Sequence, residues 1–412
     1  MPRPRDMRRS APRGQRVFLA RAMDVASGAW PRPTRLQCPW MCRSAPRDQP
    51  NAPPERAAIA MALRDGMLPA ATSTMPAERL LAVAAEEGVL PLLEWRLRGQ
   101  SLPEALREGL SRGAREAAVQ CLYREMELRK VERVLNRDGI NALLLKGNAL
   151  GIWLYQEPYL RVNSDIDLLF ESRQSAELAV AAFSELGYML SFTPAVNNYE
   201  MTCRLVVDGS SRCELDLHCR LVNSAAYADV LSFEELWHAA TPLPALAGGL
   251  KALSPVHALM HACMNRALDM QNGLPDRLKL LYDIHLLLGR MDDQAWDALI
   301  ELARAKNMAG VCLRSIDDTI AVFATTAPSA AIQALCAAAD SEPLDRHRLD
   351  DWRYMQWQNL KALPGPAARL RWLWQRLFPT LSHLRELHGE GSWLQLMGRR
   401  ARRGLLRLWN RG

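Results

Sequence analysis

Two aspartates, Asp165 and Asp167, lie two residues apart in the strand-like run from Ser164 to Phe170. Because side chains on a strand alternate between its two faces, both carboxylates point to the same side. The other residues of the run are mostly apolar, which is typical of a buried strand. Two neighbouring carboxylates at the end of such a strand repel each other unless a cation lies between them. The pattern therefore indicates a Mg²⁺ site built for a phosphate substrate.

A third carboxylate follows in the run from Cys213 to His218, where Glu214, Asp216 and His218 would share one face of a strand. If this strand lies beside the strand with Asp165, it brings Asp216 next to the aspartate pair. Three carboxylates from two strands can hold two Mg²⁺ ions, one on a triphosphate and one that lowers the pKa of an attacking hydroxyl. Glu214 competes with Asp216 for this position, and the apolar neighbours of Asp216 favour Asp216.

A lysine, Lys146, stands directly after three leucines and before Gly147. Only six of the 52 basic residues are lysines, so a lysine at this position suggests that a compact ammonium group is needed. It would either contact a phosphate as a point charge or extend from a strand end into solvent. Both interpretations stay open.

Two further polar residues accompany the carboxylates. Arg161 precedes the aspartate pair by four residues, which suits a salt bridge or a contact with a triphosphate. His218 is expected to orient Asp216 or an acceptor group, although a histidine that only packs in the core is the simpler alternative.

The elements that would position these side chains form a small mixed sheet. From Ile140 the apolar pattern changes from helical spacing to short apolar runs, and Asp208-Gly209 is a hairpin turn signal. Helical spacing returns after Phe233 and continues toward the end of the chain. We therefore predict an α+β fold, with a small mixed-sheet core flanked by N-terminal and C-terminal helical regions. The predicted strands are 143–146, 165–170, 199–207 and 212–218, and the predicted helices of the core are 147–155 and 174–186.

Composition divides the chain into five parts. The first part contains many arginines and prolines without an apolar period, so we expect a disordered basic leader. A transit peptide is an alternative for this part, as is a start of translation nearer Met61 or Met67. The predicted parts are the leader at 1–56, an N-terminal helical region at 57–137, the α/β core at 138–222, a helical domain at 223–340 and an Arg/Trp-rich helical extension at 341–412.

The bulk composition restricts the class of protein. A net charge of +7 and a pI of about 9.0 suit an anionic substrate, a nucleic acid or an anionic membrane surface without choosing among them. The nine cysteines are an odd number and do not indicate a disulfide framework, so we expect a cytoplasmic location. No run of about 18 apolar residues is present, so we expect no transmembrane segment.

Together these motifs resemble the polymerase-β-like nucleotidyltransferase superfamily, which has a glycine turn at a helix start, a strand with two aspartates and a third carboxylate on a later strand. Three segments are more closely similar to a bacterial branch described as uncharacterised nucleotidyltransferases. They are Leu145-Lys146-Gly147, the stretch from Arg161 to Leu169, and Asp216-Leu217-His218. The resemblance extends over about residues 76–410.

The chain departs from the superfamily pattern at two points. Asn148 stands where Gly or Ser is usual, and Gly147 and Asp165 are 18 positions apart, so the loop between them is extended. The resemblance implies that Gly147 and Asn148 form the turn on the phosphate side, where a helix N-terminus offers backbone N–H groups to an anion.

The resemblance also implies a reaction. Asp165, Asp167 and Asp216 would be the catalytic metal ligands, with Mg²⁺ or Mn²⁺ as the metal. A nucleoside triphosphate such as ATP would be the co-substrate, and its NMP group would pass to an unidentified small-molecule or macromolecular acceptor with release of pyrophosphate. The predicted nucleotide-binding residues are Lys146, Gly147, Asn148, Arg161 and His218.

A second hypothesis belongs to another class of protein. It is a catalytically inactive nucleotide-binding module, or an RNA-associated or membrane-associated module, on the same fold. The Arg- and Trp-rich stretch from Arg369 to Arg411 would then contact RNA or an anionic membrane. For this stretch we favour an amphipathic helix pair that packs on the body of the protein and leaves its basic face in solvent.

Overall fold

The structure, a computed structural model, describes residues 53–192, 199–243, 246 and 249–409. Within these residues the centre is a seven-stranded mixed sheet with the strand order β3-β4-β5-β2-β1-β7-β6. Helices precede and follow the sheet along the chain, so the predicted α+β class is confirmed. The strands are β1 (Ala142–Leu144), β2 (Ile166–Phe170), β3 (Tyr188–Phe192), β4 (Glu200–Val207), β5 (Ser210–His218), β6 (Thr241–Pro242) and β7 (Leu250–Ala252).

The two strands that carry the predicted carboxylates are neighbours in the sheet. Strand β2 runs parallel to β5, with Asp167 opposite Asp216. Strands β4 and β5 form an antiparallel hairpin, in which Thr202 is opposite Asp216 and Glu200 is opposite His218. Because directly opposed residues share a face of the sheet, these polar side chains gather on one side.

The other side of the sheet is apolar and is covered by helices. Ile166, Leu168 and Leu217 alternate with the acidic residues and have no exposed surface. They belong to a core that also contains side chains from helices α4 (Glu104–Arg137) and α6 (Arg173–Ser184). Each such side chain contributes about 1.5–3 kcal/mol when it is buried. This apolar face therefore decides which side of β2 and β5 is left for the carboxylates.

The remaining helices form a second core, which Leu143 and Leu169 join from the polar side of the sheet. Ser254 and Asp292 begin two of these helices by accepting hydrogen bonds from backbone N–H groups of the first turn. The helices are α1 (Pro54–Asp65), α2 (Ala77–Glu86), α3 (Leu90–Arg96), α5 (Lys146–Trp153), α7 (Phe233–Ala239), α8 (Pro255–Gln271), α9 (Leu278–Leu288), α10 (Asp293–Lys306), α11 (Ala309–Phe323), α12 (Ser329–Ala339), α13 (Trp352–Ala362), α14 (Gly365–Leu377), α15 (Leu381–His388) and α16 (Trp393–Trp409).

The sheet is larger than the sequence predicts. Strands β3, β6 and β7 were not expected, and β7 extends the sheet beyond residue 222, the predicted end of the α/β core. Strands β6 and β7 have only two and three residues, which is too short for an alternating pattern to be recognised. Lys146 begins α5 and does not end β1, because its φ of 50° lies in the left-handed region and interrupts the extended chain.

The first helix overlaps the predicted leader. Helix α1 begins at Pro54, and the guanidinium of Arg56 donates to the Glu87 carboxylate at 2.9 Å and to the Asp276 carbonyl at 2.7 Å. Helix α1 therefore includes the last three residues of the predicted leader, 54–56, whose long-range contacts no local pattern reveals. The rest of the predicted leader, residues 1–52, lies outside the described residues.

The C-terminal helices also differ from the predicted arrangement. No residue of α14 is buried, and its side chains Leu370, Trp374 and Leu377 are exposed. The indole N–H of Trp393 donates to the Pro379 carbonyl at 3.0 Å, so α16 contacts the segment after α14. A helix pair packed through its apolar face on the body is therefore wrong for α14. Among the described residues, no helix is long and apolar enough to cross a membrane.

Candidate functional site

The sheet brings all three predicted carboxylates to one face. Asp167 and Asp216 are paired across β2 and β5, and both residues are buried, with 3 % and 9 % of their surface exposed. Asp165 precedes β2 by one position and lies two residues before Asp167, so the alternation of side chains directs it to the same face. Glu214, the competitor of Asp216, pairs with Arg204 at 2.7 Å nearer the hairpin turn. The geometry therefore favours Asp216 as the third carboxylate.

Lys146 reaches across the sheet to the central aspartate. Its Nζ lies 2.6 Å from Oδ1 of Asp167. Burial by itself raises the pKa of Asp167, but the charge of Lys146 and the hydrogen bond from His218 lower it well below its usual range. Burial lowers the pKa of Lys146, and the charge of Asp167 outweighs that effect and raises it. The two groups are therefore ionised together, and Lys146 is not a lysine extended into solvent.

His218 lies on the same carboxylate. Its Nε2 is 2.9 Å from Oδ1 of Asp167, and an ionised carboxylate only accepts, so Nε2 carries the proton of this hydrogen bond. Its Nδ1 is 3.8 Å from Oε2 of Glu200 and has no hydrogen-bond partner among the described residues. Of the two roles expected for His218, the contact is made with Asp167 and not with Asp216, and orientation of an acceptor group stays a prediction.

A fourth carboxylate, Glu200, enlarges the acidic group. Burial, followed by the negative charges of Glu200 and Asp167, raises the pKa of Asp216 to about 7. The Thr202 hydroxyl donates to Oδ1 of Asp216 at 2.8 Å. Burial and the charge of Asp167 also raise the pKa of Asp165. At Asp165 and Asp216, burial and the neighbouring carboxylates together outweigh the nearby cations, and this is the electrostatic condition that favours binding of a further cation.

Gly147, in the first turn of α5, packs against the loop before β2. A Cβ atom at Gly147 would lie 1.7 Å from Oδ1 of Asn163, so a larger residue here would displace the Asn163 side chain. The side-chain amide of Asn148 donates to the Asp165 carbonyl. Asn148 thereby fixes the start of β2, and its amide nitrogen is already engaged there.

Arg161 forms a buried ion pair with Asp283 of α9. Its Nε and Nη2 donate to the two carboxylate oxygens of Asp283 at 2.8 and 2.7 Å, and Nη1 donates to the Val162 carbonyl at 2.7 Å. The Tyr155 hydroxyl donates to the same carboxylate at 2.7 Å. Of the two roles that the sequence left open, a salt bridge is therefore the one that forms. It ties the extended loop before Asp165 to the helical region.

A cavity of about 30 Å³ lies beside Lys146, between the sheet and helices α8 and α9. This volume suffices for about two water molecules. His261 of α8 lines the cavity, is 3 % exposed, and has an Nε2 without a hydrogen-bond partner among the described residues. Burial and the charge of Lys146 lower the pKa of His261 to about 3. The neutral ring thus offers an acceptor nitrogen to whatever occupies the cavity; the polar lining residues are Lys146, Arg161, His261, Asn265 and Asp283.

Lys279, at the start of α9, is a second lysine near the carboxylates. It lies four residues before Asp283 and therefore on the same face of the helix. Its stem packs on Gly88, where a Cβ atom would lie 2.5 Å from Cδ of Lys279. Burial and then the charges of Arg161 and Arg277 lower the pKa of Lys279 to about 8. Because neighbouring positive charges disfavour the charged form of Lys279, an anion bound at this place would be stabilised.

The family model for uncharacterised nucleotidyltransferases matches residues 73–316, which is more than half of the chain. The chain belongs to this family. All eight predicted site residues, as well as Glu200, His261 and Lys279, lie in the matched region.

One solved structure resembles this nucleotidyltransferase-family protein. It is described as an antigenic nucleotidyltransferase-like protein from Paracoccidioides brasiliensis and is 12 % identical, with a TM-score of 0.30. The match covers 50 % of this chain and 95 % of that chain. No curated protein matches the chain.

The donor set of this family member suits a hard divalent cation, because Asp165, Asp167, Asp216 and Glu200 offer only carboxylate oxygens. In the part of the chain that the structure describes, however, no group of three or more acidic, histidine or cysteine side chains is gathered closely enough to hold a metal ion. Lys146 and His218 instead contact the same oxygen of Asp167. The residues therefore fit Mg²⁺ in their chemistry, while in this structure Lys146 and His218 take up the Asp167 oxygen that an ion would need.

Sequence reasoning missed Glu200, Lys279 and Asp283, whereas the spacing of His257 and His261 on one helix indicated packing or substrate-side residues. The scarcity of lysine, which drew attention to Lys146, applies equally to Lys279. Glu200 shares its strand face with Thr202, and the hairpin turn sets both opposite β5, so pairing the two predicted strands in register would have found it. Asp283 has no comparable signal, because only the packing of α9 against the sheet brings it to the site.

Proposed function

We propose that this protein is a Mg²⁺-dependent nucleotidyltransferase of the polymerase-β-like superfamily, which moves an NMP group from an NTP to an acceptor and releases pyrophosphate. The observation that carries the proposal is the pairing of Asp167 with Asp216 across parallel strands, with Asp165 on the same face. Membership of the nucleotidyltransferase family supports the general class of reaction.

The three carboxylates would have different roles, which depend on their positions in the sheet. Asp165 and Asp167, which belong to one strand end, would hold both ions, and Asp216 would complete the ligands of the ion on the acceptor side. Bound there, Mg²⁺ or Mn²⁺ would neutralise phosphate charge and lower the pKa of an acceptor hydroxyl. Thr202 keeps Asp216 in orientation by donating to Oδ1, which leaves Oδ2 for a ligand.

Two lysines supply positive charge for the triphosphate. Lys146 contacts Oδ1 of Asp167, an oxygen that would also bind a metal ion. Loss of this contact on nucleotide binding would free the ammonium group of Lys146 to approach the phosphates. Lys279 is close enough to Asp165 for its positive charge to oppose the rise in the pKa of that carboxyl. Phosphoryl-group chemistry mainly requires positioning of the reactants and neutralisation of their charge. The carboxylates and the two lysines would supply both.

The buried ion pair of Arg161 and Asp283 would keep the reacting groups in their relative positions. It fixes the loop before Asp165 to α9, the same helix that carries Lys279. Because a misplacement of about 1 Å can cost a hundredfold in rate, this pair has a positioning role and makes no contact with substrate in our proposal.

The test is a transfer assay with the purified full-length protein, labelled NTPs and pooled acceptors in Mg²⁺ or Mn²⁺. The pools contain sugar phosphates, small hydroxyl compounds, RNA ends and proteins. We expect label transfer with an equal amount of pyrophosphate released, and loss of both in Asp216→Asn. The matched control is Glu214→Gln, which removes the competing carboxylate on the same strand and should retain transfer. A wild-type protein that neither binds an NTP nor transfers label would overturn the proposal.

A nucleotide-binding module without catalysis is the second candidate. The observation that favours it is the double engagement of Asp167 by Lys146 and His218, which occupies the carboxylate that both metal ions would share. This candidate predicts NTP binding that is independent of Mg²⁺ and is not followed by transfer to any pool. Binding that requires Mg²⁺ excludes it.

A further inference from the structure

Helix α14 presents an apolar face to solvent. Leu370, Trp374 and Leu377 are 68 %, 64 % and 61 % exposed, and Leu373 is 39 % exposed. Positions 370, 373, 374 and 377 follow the spacing of one helix face, and no residue of α14 is buried. Phe378 directly after the helix is 47 % exposed and packs on Trp374, with 4.4 Å between the ring centroids. This is a contiguous apolar strip of the kind that marks an interaction surface in soluble proteins.

Arginines border this strip on both sides. At about 100° per residue, Arg371 lies on one side of Leu370 and Arg369 lies on the other. Arg376 follows the side of Arg369, and its guanidinium lies over the Trp372 ring at 4.2 Å. Long arginine side chains at the borders of an apolar face can keep their charged ends at a polar boundary while the face itself enters an apolar phase.

The surrounding stretch is strongly basic. Residues 364–409 contain nine arginines and two glutamates, an excess equal to the net charge of +7 of the whole chain. Helix α16 contributes Arg399, Arg400 and Arg402 to this excess and has no acidic residue. The guanidinium of Arg400 donates to the Arg376 carbonyl at 2.9 Å, which brings the basic part of α16 to the end of α14.

We propose that the exposed face of α14 docks on an anionic membrane surface, with its Leu, Trp and Phe side chains at the boundary of headgroups and acyl chains. The charge of the partner follows from the arginine borders, since anionic lipids attract basic segments by about 1 kcal/mol per residue. That the partner is also apolar follows from Leu370, Leu373 and Leu377. Proteins bind RNA bases by stacking aromatic rings and guanidinium groups on them, and leucine side chains do not stack in this way. Docking of this kind needs no membrane-spanning helix, and the described residues contain none.

The test measures binding of the full-length protein to vesicles of phosphatidylcholine with about 30 % phosphatidylserine, by co-sedimentation at low and high salt. We expect binding that is lost in vesicles of phosphatidylcholine only, and that falls steeply as salt is added. Leu370→Ser with Leu377→Ser should lower the partition coefficient by about tenfold or more, since each removes a large apolar side chain from the lipid. Arg371→Gln should lower it by about fivefold.

The matched control is Leu178→Ser on α6, a leucine that is also exposed at 57 % but has no arginine border. It should leave vesicle binding unchanged. Because all four side chains are exposed, the variants should melt like the wild type, and this is checked first. Equal binding by wild type and the double leucine variant would overturn the proposal. Retention on single-stranded RNA without vesicle binding, or a dimer that the double variant dissociates, would overturn it as well.

Discussion

The Nζ atom of Lys146 lies 2.6 Å from Oδ1 of Asp167, although the two residues belong to different elements and are 21 positions apart. Lys146 begins α5 in a left-handed backbone conformation, which turns its side chain back across β2. The contact makes Asp167 the most strongly stabilised anion of the acidic group, while Asp216 next to it is held with a raised pKa. In our proposal, a divalent cation would therefore compete with Lys146 for one carboxylate oxygen of Asp167.

The first prediction concerns Asp167→Asn. In the wild type, Mg²⁺ with an NTP at about a hundred times the dissociation constant should add about 2.7 kcal/mol to the free energy of unfolding. The variant should lose this increase, which a thermal-shift titration measures. Relief of the repulsion between aspartates would by itself leave the unliganded variant no less stable than the wild type. The variant also leaves the Lys146 ammonium without its carboxylate, so we expect its free energy of unfolding to fall by about 1–3 kcal/mol. An equal nucleotide-dependent shift in both proteins would contradict the assignment.

The second prediction concerns Lys146→Ala. Nucleotide binding should weaken by about tenfold or more, the scale of one charge-assisted contact. Lys146→Arg should restore little, because the larger planar group does not fit the turn against Asp167. Isothermal titration with a non-hydrolysable NTP measures both. The control is Lys251→Ala, a lysine over the Trp237 ring at 4.0 Å in the same sheet, which should bind like the wild type.

The third prediction concerns Lys279→Ala and the dependence of binding on pH. The pKa of Lys279 is lowered to about 8, and a bound triphosphate should raise it again, so binding takes up a proton near this pH. NTP affinity of the wild type should therefore fall as pH rises through 8. Lys279→Ala should bind about tenfold more weakly at pH 7 and should show a flatter profile. Parallel profiles for the two proteins would place Lys279 outside the nucleotide site.

The fourth prediction concerns the buried pair of Arg161 and Asp283. Asp283→Asn leaves a buried guanidinium without its carboxylate and should cost about 3–5 kcal/mol in denaturant unfolding. Arg161→Lys should also destabilise, because an ammonium group cannot make the two parallel hydrogen bonds. The surface pair Arg129–Glu125 is the control, and Glu125→Gln should cost less than about 1 kcal/mol. Small and equal effects at both pairs would show that the buried pair has no positioning role.

The fifth prediction concerns the N-terminal boundary. Deletion of residues 1–52, which have no apolar period, should leave the melting temperature nearly unchanged. Deletion of residues 1–56 should lower it by several degrees, because it removes the Arg56 contacts with Glu87 and Asp276 and the first turn of α1. A large loss from the shorter deletion would mean that the leader packs on the folded protein.

The sequence by itself determined the local part of the site. The alternation along β2 and β5 placed Asp165, Asp167 and Asp216 on polar strand faces, and the hairpin between β4 and β5 was predicted from Asp208-Gly209. These features depend only on the period of a strand and on turn chemistry, which nearest neighbours decide. The α+β class followed from the same periods.

Tertiary structure decided the partners of those residues. The parallel pairing of β2 with β5, the contacts of Lys146 and His218 with Asp167, and the pair of Arg161 with Asp283 all join residues far apart in the chain. The exposure of Leu370 on α14 is likewise a tertiary fact, because an amphipathic period is the same whether its apolar face is covered or not. Local patterns predict which faces are polar or apolar, and only packing decides what each face meets.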